Sequence, residues 1–518
     1  MNVLLAGYNV DREILAEYKQ LRPESQDITP ETLSAAYARI SRSPRSVEDL
    51  RANARKEVEK ARRSNRNIVF EMGHSSIAEH AVFNIDILGV SRLLVEEIER
   101  FRLCSYTEKS QRYVLFRDDF IVPEEIRRTS LETPYVETIR EQYRCYHELY
   151  EKLLPHVMKR HRKEAAEPGG RSAIEGLAKE DARYAIALAT QTQLGMTINA
   201  RNAERMIRRL AASPLAEARL CAGKLFDLLR DIAPSLVRYT EATDYDRMTR
   251  KDLRGAVTHM EGPSEKSRRP RPISNSEPSS VSLLETTPNA DEKILALLIF
   301  SSSNWPMARC RKMVKSMSST EREALFAVSM RRVRSYDAVL REFERAEMSF
   351  ELVVSASCFA QLKRHRMATI ICQEYDPALD ITVPPSICEV GMECRLREVA
   401  SKAESLHRRL LASVGHAADY ILTNAHRRRV FLKMNARELY HFCRLRADCH
   451  AQWDIRRLAE EMLTLARERM PLTLMLAGGK DGFENLRERF LAGTNSPQIS
   501  PVGEDPPFCR RPTFAGRT

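Results

Sequence analysis

The chain has 518 residues, 43% of them hydrophobic, so it is long enough for two or three domains that each bury a core. No segment approaches the roughly 20 uninterrupted apolar residues of a membrane helix, and MNVLLAGYNV lacks the basic start and apolar length of a signal peptide. We therefore expect a cytoplasmic protein without a membrane segment. The 83 basic and 71 acidic residues give a net charge of +12, which suits nucleotides, folates or nucleic acid without choosing among them.

Helical patterns, with apolar residues three and four apart, occupy residues 33–40, 47–64, 405–422 and 454–470. Shorter β-branched runs at residues 80–90 and 348–357 are typical of strands that lead into the next helix. These patterns predict an α+β fold in which helices are in the majority. The 11 cysteines include no CxxC pair, so we expect reduced, mostly packed thiols and no metal site.

Two stretches are rich in Pro, Ser and Arg and poor in large apolar residues. We expect residues 255–292 to be a flexible linker and residues 494–518 to be a disordered tail, because neither composition packs a core. These boundaries leave a first domain at residues 1–254 and a second at residues 293–493.

The two predicted domains share segments that recur in the same order. VEEIERFRLCS at residues 95–105 resembles FAQLKRHRMAT at residues 359–369. TINARNAERMIRRL at residues 197–210 resembles KMNARELYHFCRLR at residues 433–446. The spacing is too long for a solenoid and fits a duplicated domain.

The first half contains GHSSIAEHAVFNIDILGVSR and RFRLCSYTEKSQRY. These resemble the signature of flavin-dependent thymidylate synthases, GHxSxxEH followed by RHRxxSxNExSxRY. In the second half, RHRMAT and MNARELYHFCRLRADCHAQWDIR resemble the RHR element and C-terminal helix of that family. The resemblance implies two tandem copies of the family fold, with helices packed on a mostly antiparallel sheet, that form a pseudo-dimer. It also implies a homodimer that reproduces a tetramer of single domains.

Enzymes of this family methylate dUMP to dTMP, with methylenetetrahydrofolate as carbon donor and FAD relaying a hydride from NADPH. The resemblance therefore implies these small-molecule partners and no cysteine nucleophile. The protein would supply binding, orientation and charge, while the cofactors carry the redox and one-carbon chemistry.

Candidate pyrimidine- and flavin-binding residues lie in the second half. Gln361 and Arg364 are three apart on a predicted helix, so they share a face and could converge on a uracil ring, whose mixed edge suits an amide. The resemblance assigns Arg446 to the pyrimidine and Gln452 to a supporting role. It assigns Arg364, His365, Arg366, Asn435, Arg437, His441 and His450 to the flavin. Helical spacing predicts one face for Asn435, Arg446 and His450, whereas a lone RHR is as well explained by solvated side chains and a lone His441 by a core histidine.

Candidate phosphate-binding residues lie in the first half. By resemblance, the dUMP phosphate site comprises Glu108, Ser110, Gln111 and Arg112 with the neighbouring Tyr113, together with Arg183. A hydroxyl, backbone amides and a fork-shaped guanidinium are suitable donors for phosphate. Upstream, His74 and Ser76 are assigned to the flavin and accompany Glu79 and His80. Ser41 aligns only loosely and is better explained as an exposed serine at a helix end.

Each half has lost what the other keeps. The second half has Ile371, Cys372, Glu374, Asp376 and Asp419 at positions of the phosphate site, where carboxylates would repel a dianion. The first half has Glu97, Phe101 and Leu210 at pyrimidine and RHR positions, and Pro214 where a histidine is expected on the helix. Because sites of this family form between subunits, we expect one complete site from the two halves and a second, dead one.

Two other functions fit parts of the sequence. A non-catalytic paralogue that binds FAD or a nucleotide would explain the losses as divergence after duplication. Nucleic-acid binding would use basic runs such as AHRRRV at residues 425–430 and would show a steep salt dependence. Such runs are more often solvated helix faces, so nucleic acid is the least favoured partner.

Overall fold

The computed structural model describes residues 1–11, 29–40, 43–260 and 280–491. Their contacts divide into two compact units. The first unit holds the described residues of Met1–Arg144, Ile186–Arg271 and Ser401–Thr423, and the second holds those of Cys145–Ala185, Pro272–Ala400 and Asn424–Thr518. Each unit thus contains most of one repeat and a short segment of the other, which differs from the predicted consecutive domains.

The first unit is built on an antiparallel sheet with the strand order β1-β2-β4-β3. Its strands are β1 (Asn2–Tyr8), β2 (Val82–Ser91), β3 (Ser105–Glu108) and β4 (Gln191–Asn199). Phe83, Ile85 and Ile87 of β2 are fully buried, whereas the residues between them are exposed. This period of two is typical of a sheet with one covered face and confirms the strand predicted at residues 80–90.

The second unit has a sheet with the equivalent order, β5-β6-β8-β7. Its strands are β5 (Val281–Thr286), β6 (Glu347–Ser355), β7 (Thr369–Tyr375) and β8 (Arg427–Asn435). Phe350 and Leu432, on the central strands, belong to one core cluster that extends to the following helices. The shared order confirms a duplicated α+β fold with antiparallel sheets.

Helices make up most of the remaining described chain, and none of those described is both long and apolar enough to cross a membrane. They are, in chain order, α1 (Glu31–Arg39), α2 (Val47–Lys56), α3 (Val58–Arg66), α4 (Arg92–Ile98), α5 (Glu132–Arg160), α6 (Arg162–Ala165), α7 (Gly170–Ala182), α8 (Ala200–Ala211), α9 (Ala216–Arg230), α10 (Asp244–Met260), α11 (Ala290–Ser301), α12 (Met307–Ser316), α13 (Ser319–Met330), α14 (Ala356–Leu362), α15 (Pro385–Glu389), α16 (Glu393–Val414), α17 (Ala436–Arg446), α18 (Trp453–Arg469) and α19 (Phe483–Leu491). Helices α1, α2, α3, α16 and α18 confirm the helical patterns read from the sequence.

Ordered elements occupy both ends of the predicted linker. Helix α10 continues to Met260, and β5 and α11 lie between residues 281 and 301, so residues 255–292 are not one flexible segment. The side chains of α10 after residue 249 are exposed, which explains why the composition there is typical of a linker. Residues 261–279 and the predicted tail, residues 494–518, lie outside the described residues, as does Ser41.

The basic run at residues 425–430 lies in β8 and the turn before it, not on a helix. Arg428 is buried, and its guanidinium lies 4.9 Å from the Phe359 ring centroid and 4.3 Å from that of Tyr375. Its Nε also donates to the Gln373 carbonyl at 2.9 Å. The interpretation of this run as a solvated helix face is therefore wrong, because its central arginine is committed to the core.

A buried carboxylate joins segments of both repeats within the first unit. The Tyr420 hydroxyl donates to Glu217 Oε2 at 2.7 Å, and the Ser91 hydroxyl donates to the same oxygen at 2.6 Å. Ser91 in turn caps α4 by accepting from the Leu94 N–H at 2.9 Å. Burial raises the pKa of Glu217, while the bonds from Ser91 and Tyr420 oppose that rise. One side chain thus holds a residue of the second repeat against two helices of the first.

Replacing Glu217 with alanine should lower the free energy of unfolding by about 2–4 kcal/mol, because two buried hydroxyls lose their acceptor. Glu217→Gln keeps the volume and one oxygen, so it should cost clearly less. Urea denaturation followed by circular dichroism measures both. Equal midpoints for the two variants would contradict this role of the carboxylate.

Candidate active site

The turn after α14 carries the RHR element. Ser355 caps α14 by accepting from the Cys358 N–H at 3.0 Å, and the helix ends at Leu362. Arg364 and Arg366 project from the turn and are exposed, whereas His365 between them is 3% exposed. The turn therefore presents two cations and buries the imidazole.

Arg446, the last residue of α17, meets this turn. Its Nε donates to His365 Nε2 at 3.0 Å, and its Nη2 donates to the Gln361 carbonyl at 3.3 Å. Because His365 accepts at Nε2, its imidazole is neutral. Burial, followed by the charges of Arg446 and His441, lowers the pKa of His365 well below 6.5. The structure thus brings together Gln361, His365 and Arg446.

A buried acid lies on the other side of His365. Glu438 Oε1 is 3.4 Å from His365 Nδ1, but neither atom makes a hydrogen bond among the described residues. Burial raises the pKa of Glu438, and the nearby His441 opposes this rise. The pair would be a salt bridge only with a protonated imidazole, which the buried Arg446 contact disfavours. The predicted His441 is exposed, with its ring centroid 5.8 Å from that of His365.

Gln361 is connected to buried residues of both repeats. Its Nε2 donates to Gln452 Oε1 at 3.2 Å, and Gln452 Nε2 donates to the Tyr184 hydroxyl at 2.8 Å. That hydroxyl donates to Asp454 Oδ2 at 2.9 Å, as does the Ser355 hydroxyl at 2.6 Å. Gln452 therefore links the Gln361 side chain to Tyr184.

The predicted Arg183 lies in the same unit as Gln361 and Arg446 and is 6% exposed. Its carbonyl accepts from Asn424 Nδ2 at 3.0 Å, and its neighbour Tyr184 is the tyrosine bonded to Gln452. A residue of the first repeat thus belongs to the unit that holds the RHR turn.

Three predicted flavin residues have partners within the protein. Asn435 caps α17 by accepting from the Glu438 N–H at 2.9 Å. Arg437 donates to the Val339 carbonyl and to Glu344 Oε1, each at 2.9 Å. His450 was predicted on the face of Asn435 and Arg446, but α17 ends at Arg446, so this prediction is wrong.

His450 instead belongs to a turn in which its N–H donates to Asp448 Oδ1 at 2.9 Å. Its Nδ1 lies 2.7 Å from the same oxygen. Asp448, Cys449 and His450 bring three potential metal-ligating atoms within 4.8 Å of one another. Because Asp448 Oδ2 also accepts from the Asp481 N–H at 3.0 Å, we explain the cluster by the turn itself.

The first unit holds the predicted phosphate loop. Glu108 forms a close, buried ion pair with Arg92. Ser110 accepts from the Arg112 N–H at 3.1 Å, and the Arg112 guanidinium lies 5.9 Å from the Tyr113 ring centroid. Gln111 is buried. The loop is therefore tied to the sheet at Glu108 and folds back on itself at Ser110.

The upstream GHxSxxEH residues form a helical turn in the same unit. His74 precedes the 3-10 helix Ser75–His80, and His74 and Ser76 are exposed. Glu79 is ion-paired with Arg201, and the His80 ring packs edge-on against Tyr37 at 4.7 Å. The two predicted flavin residues thus face solvent, while the two after them hold the turn.

The degenerate positions of the first unit have local partners. Glu97 pairs with Arg100 at 3.0 Å, and Leu210 is 1% exposed in the core. Asp419 lies 2.9 Å from His407 Nε2. Helix α8 ends at Ala211, so Pro214 stands after the helix, and the prediction that places it on the helix is wrong.

Several residues of the second unit were not predicted from the sequence, namely Tyr184, Glu438 and Asp454. Tyr184 and Tyr420 occupy the same position in ARY and ADY, so the comparison of halves could have indicated the tyrosine. Asp454 gives no such signal, because its counterpart in the first unit, Glu217, stands one position earlier relative to the repeat.

A groove of about 220 Å³ crosses the first sheet over Gly195, between β2 and β3. None of the candidate site residues that the structure describes lines it. The groove therefore does not coincide with the cluster around Arg446.

A model of the family described as thymidylate synthase complementing protein matches the chain twice, over residues 25–235 and 282–472. The flavin-dependent thymidylate synthase of Clostridium tetani is 30% identical over 216 residues, which cover 41% of this chain and 82% of that protein. The two family matches indicate a duplicated chain, and the relative from Clostridium tetani corresponds to one copy of the repeat.

Longer relatives match across both repeats. A UPF0159 protein of Chlamydia muridarum is 26% identical over 430 residues, covering 78% of each chain. Another, of Thermoplasma acidophilum, is 24% identical over 442 residues, covering 77% of this chain and 84% of that protein. A solved UMP/dUMP methylase of Streptomyces cacaoi is 20% identical and covers 40% of this chain and 94% of that one, with a TM-score of 0.31, too low to carry an argument.

Asp181, at the end of α7, borders this site and titrates unusually. It accepts from Trp453 Nε1 at 2.8 Å and from the Ser386 hydroxyl at 2.5 Å. Burial, followed by the charge of Glu180, raises the pKa of Asp181 from 3.8 to about 7. Between pH 3.8 and about pH 7, Asp181 therefore holds its proton in the folded chain but has lost it in the unfolded chain.

The contribution of Asp181 to the free energy of unfolding is fully present below about pH 4. It falls as the pH rises toward 7, by up to about 1.4 kcal/mol per pH unit. In Asp181→Asn the amide oxygen still accepts from Trp453 Nε1, and the NH2 group donates to the Ser386 hydroxyl, which was the donor to Asp181. Because this variant has no titrating group there, its free energy of unfolding should depend less on pH across that window. Urea midpoints between pH 4.5 and 8 measure this, with the exposed Asp380→Asn as control. Parallel pH profiles for Asp181→Asn and the unmodified chain would contradict it.

Proposed function

Because the chain belongs to the thymidylate synthase complementing protein family, we propose that it is a flavin-dependent thymidylate synthase with one composite site per chain. It would convert dUMP to dTMP, with methylenetetrahydrofolate as carbon donor and NADPH as reductant. The observation that carries the proposal is the cluster of Gln361, His365 and Arg446 in one unit with Arg183.

Arg446 and Gln361 would recognise the uracil ring. The neutral His365 accepts one hydrogen bond from Arg446 and leaves the guanidinium its positive charge, with a second hydrogen bond to the Gln361 backbone carbonyl. A fixed cation at this position favours negative charge that develops on the pyrimidine during methyl transfer. Arg364, exposed on the adjoining turn, would add a second cation.

Ser110, Gln111 and Arg112 would bind the nucleotide phosphate, with Arg183 as a further cation. Glu108 would act by holding the loop through its ion pair with Arg92. The sequence supports this division of labour, because the second repeat has Glu374 and Asp376 where the first has Ser110 and Arg112. Two carboxylates would repel a phosphate dianion.

The donors of the RHR turn suit FAD, which is both planar and anionic. Arg364, Arg366 and His441 are exposed around the buried His365, and His74 and Ser76 are exposed in the other unit. Asn435 and Arg437 fit less well because their side chains cap and tether α17. When bound, FAD would supply the hydride relay, and the protein would supply cationic donors for its ring and phosphates.

A non-catalytic role is the second candidate. The relatives that match both repeats are named only UPF0159 proteins, and the first unit has lost its own pyrimidine-binding residues at Glu97 and Leu210. Such a protein would bind flavin or nucleotide without forming dTMP. The two experiments that follow separate these functions.

Arg112→Ala and Arg446→Ala should each lower dTMP formation at least about 100-fold, since each removes a charged donor to the nucleotide. Asp376→Asn should change it little, because the amide keeps the cap to the Ala378 N–H and the acid has no role in the complete site. Turnover with dUMP, methylenetetrahydrofolate and NADPH measures this, as does complementation of a thymidine-requiring bacterial strain. Equal tolerance of all three substitutions would refute the composite site.

The purified chain should carry flavin, visible in its absorbance spectrum, and Arg364→Ala should lower the affinity for FAD about tenfold or more. Arg100→Ala is a matched control, because Arg100 is the corresponding residue of the first repeat and pairs with Glu97 at 3.0 Å. Titration of each apoprotein with FAD gives the dissociation constants. Similar losses for both variants would contradict a flavin site at the RHR turn, and flavin binding without dTMP would favour the non-catalytic role.

A further inference from the structure

A directional chain of hydrogen bonds ends at the Gln361 amide. It begins at Asp454, whose Oδ2 accepts from the Tyr184 hydroxyl at 2.9 Å. Burial, followed by the charge of Asp454, raises the pKa of Tyr184 well above 10, so the hydroxyl keeps its proton. Since that proton is directed at Asp454, the phenol oxygen is an acceptor for Gln452 Nε2.

The orientation of Gln452 fixes that of Gln361. With its Nε2 bound to Tyr184, Gln452 presents Oε1 on its other side, where it accepts from Gln361 Nε2 and, as the cap of α18, from the Ile455 N–H at 3.4 Å. A glutamine amide has one acceptor oxygen and two donor hydrogens. Gln361 therefore uses one donor internally and keeps its Oε1 and one N–H.

We propose that Tyr184, with Gln452 and Asp454, is a positioning relay that presents Gln361 Oε1 to the N3–H of a uracil base and so selects uracil over cytosine. Uracil has a donor at N3, whereas cytosine has an acceptor there and would face the Gln361 oxygen. A site built around a specific donor rejects the analogue that lacks it far more strongly than a site that merely fits its shape. The inference rests on the proposed nucleotide site.

The first unit has the tyrosine and carboxylate of this relay but not its two glutamines. Tyr420 donates to Glu217 at 2.7 Å, as Tyr184 donates to Asp454, but the N-cap position of Gln452 is Leu215 there, and the position of Gln361 is Glu97. The tyrosine and its carboxylate alone are thus a feature of both units. Only the second unit extends them to the side-chain amide of Gln361, whose backbone carbonyl accepts from Arg446.

The test measures the dissociation constants of dUMP and dCMP for the full chain by isothermal titration calorimetry. The ratio of the two constants is the readout, because a general loss of structure weakens both nucleotides alike. Tyr184→Phe removes the relay hydroxyl, and Tyr420→Phe is its matched control. Gln452→Ser is a second variant, which keeps a capping side chain for α18 but is too short to reach Gln361.

The unmodified chain should prefer dUMP, and Tyr184→Phe and Gln452→Ser should each reduce that preference about tenfold or more, while Tyr420→Phe keeps it. If Tyr184→Phe does not fold, Gln452→Ser decides the question. An unchanged ratio in the folded relay variants, or an equal loss in Tyr420→Phe, overturns the relay. If the unmodified chain binds neither nucleotide, the proposed function fails instead.

Discussion

Both units depend on a buried hydrogen bond from a tyrosine of one repeat to a carboxylate of the other. In the first unit Tyr420 donates to Glu217, and in the second Tyr184 donates to Asp454. Each carboxylate also accepts from the serine that caps the helix after the second strand of its sheet, Ser91 or Ser355. A repeat without the other would leave these buried groups unpaired, which is costly in a dry interior. Through these tyrosines, each unit contains buried hydrogen bonds between residues of both repeats.

This exchange bears on how the repeats diverged. Arg183 belongs to the first repeat by sequence but to the second unit by packing, where Gln361 and Arg446 also lie. Asp419, its counterpart, belongs to the first unit, with Leu210. The second unit therefore holds Arg183 and Arg446 together with Asp376, whereas the first unit holds their counterparts Asp419 and Leu210 together with Arg112.

Local patterns in the sequence predicted the elements well, and failures arose where contacts distant in sequence decide. Burial on one face sets the period of two in β2 and the helical periods of α16 and α18, so these elements can be recognised from the sequence. The prediction for His450 is wrong because helix α17 ends at Arg446, and the His450 N–H donates to the Asp448 side chain instead of continuing the helix. The cluster of Gln361 and Arg446 was predicted only through the family resemblance. The exchange of Tyr184 and Tyr420 between units could not be read from periodicity, because it depends on contacts between repeats.

The electrostatics of the cluster around His365 depend on which group stays neutral. A protonated imidazole would place a buried cation against the Arg446 guanidinium, and its Nε2 would have no lone pair to accept from Arg446 Nε. A neutral His365 instead accepts from Arg446 and holds the guanidinium in place without cancelling its charge. Burial raises the pKa of the nearby Glu438, and the uncharged imidazole of His365 lies between this acid and Arg446. Glu438 therefore does not form an ion pair with Arg446. The cluster thus keeps a positive charge on Arg446.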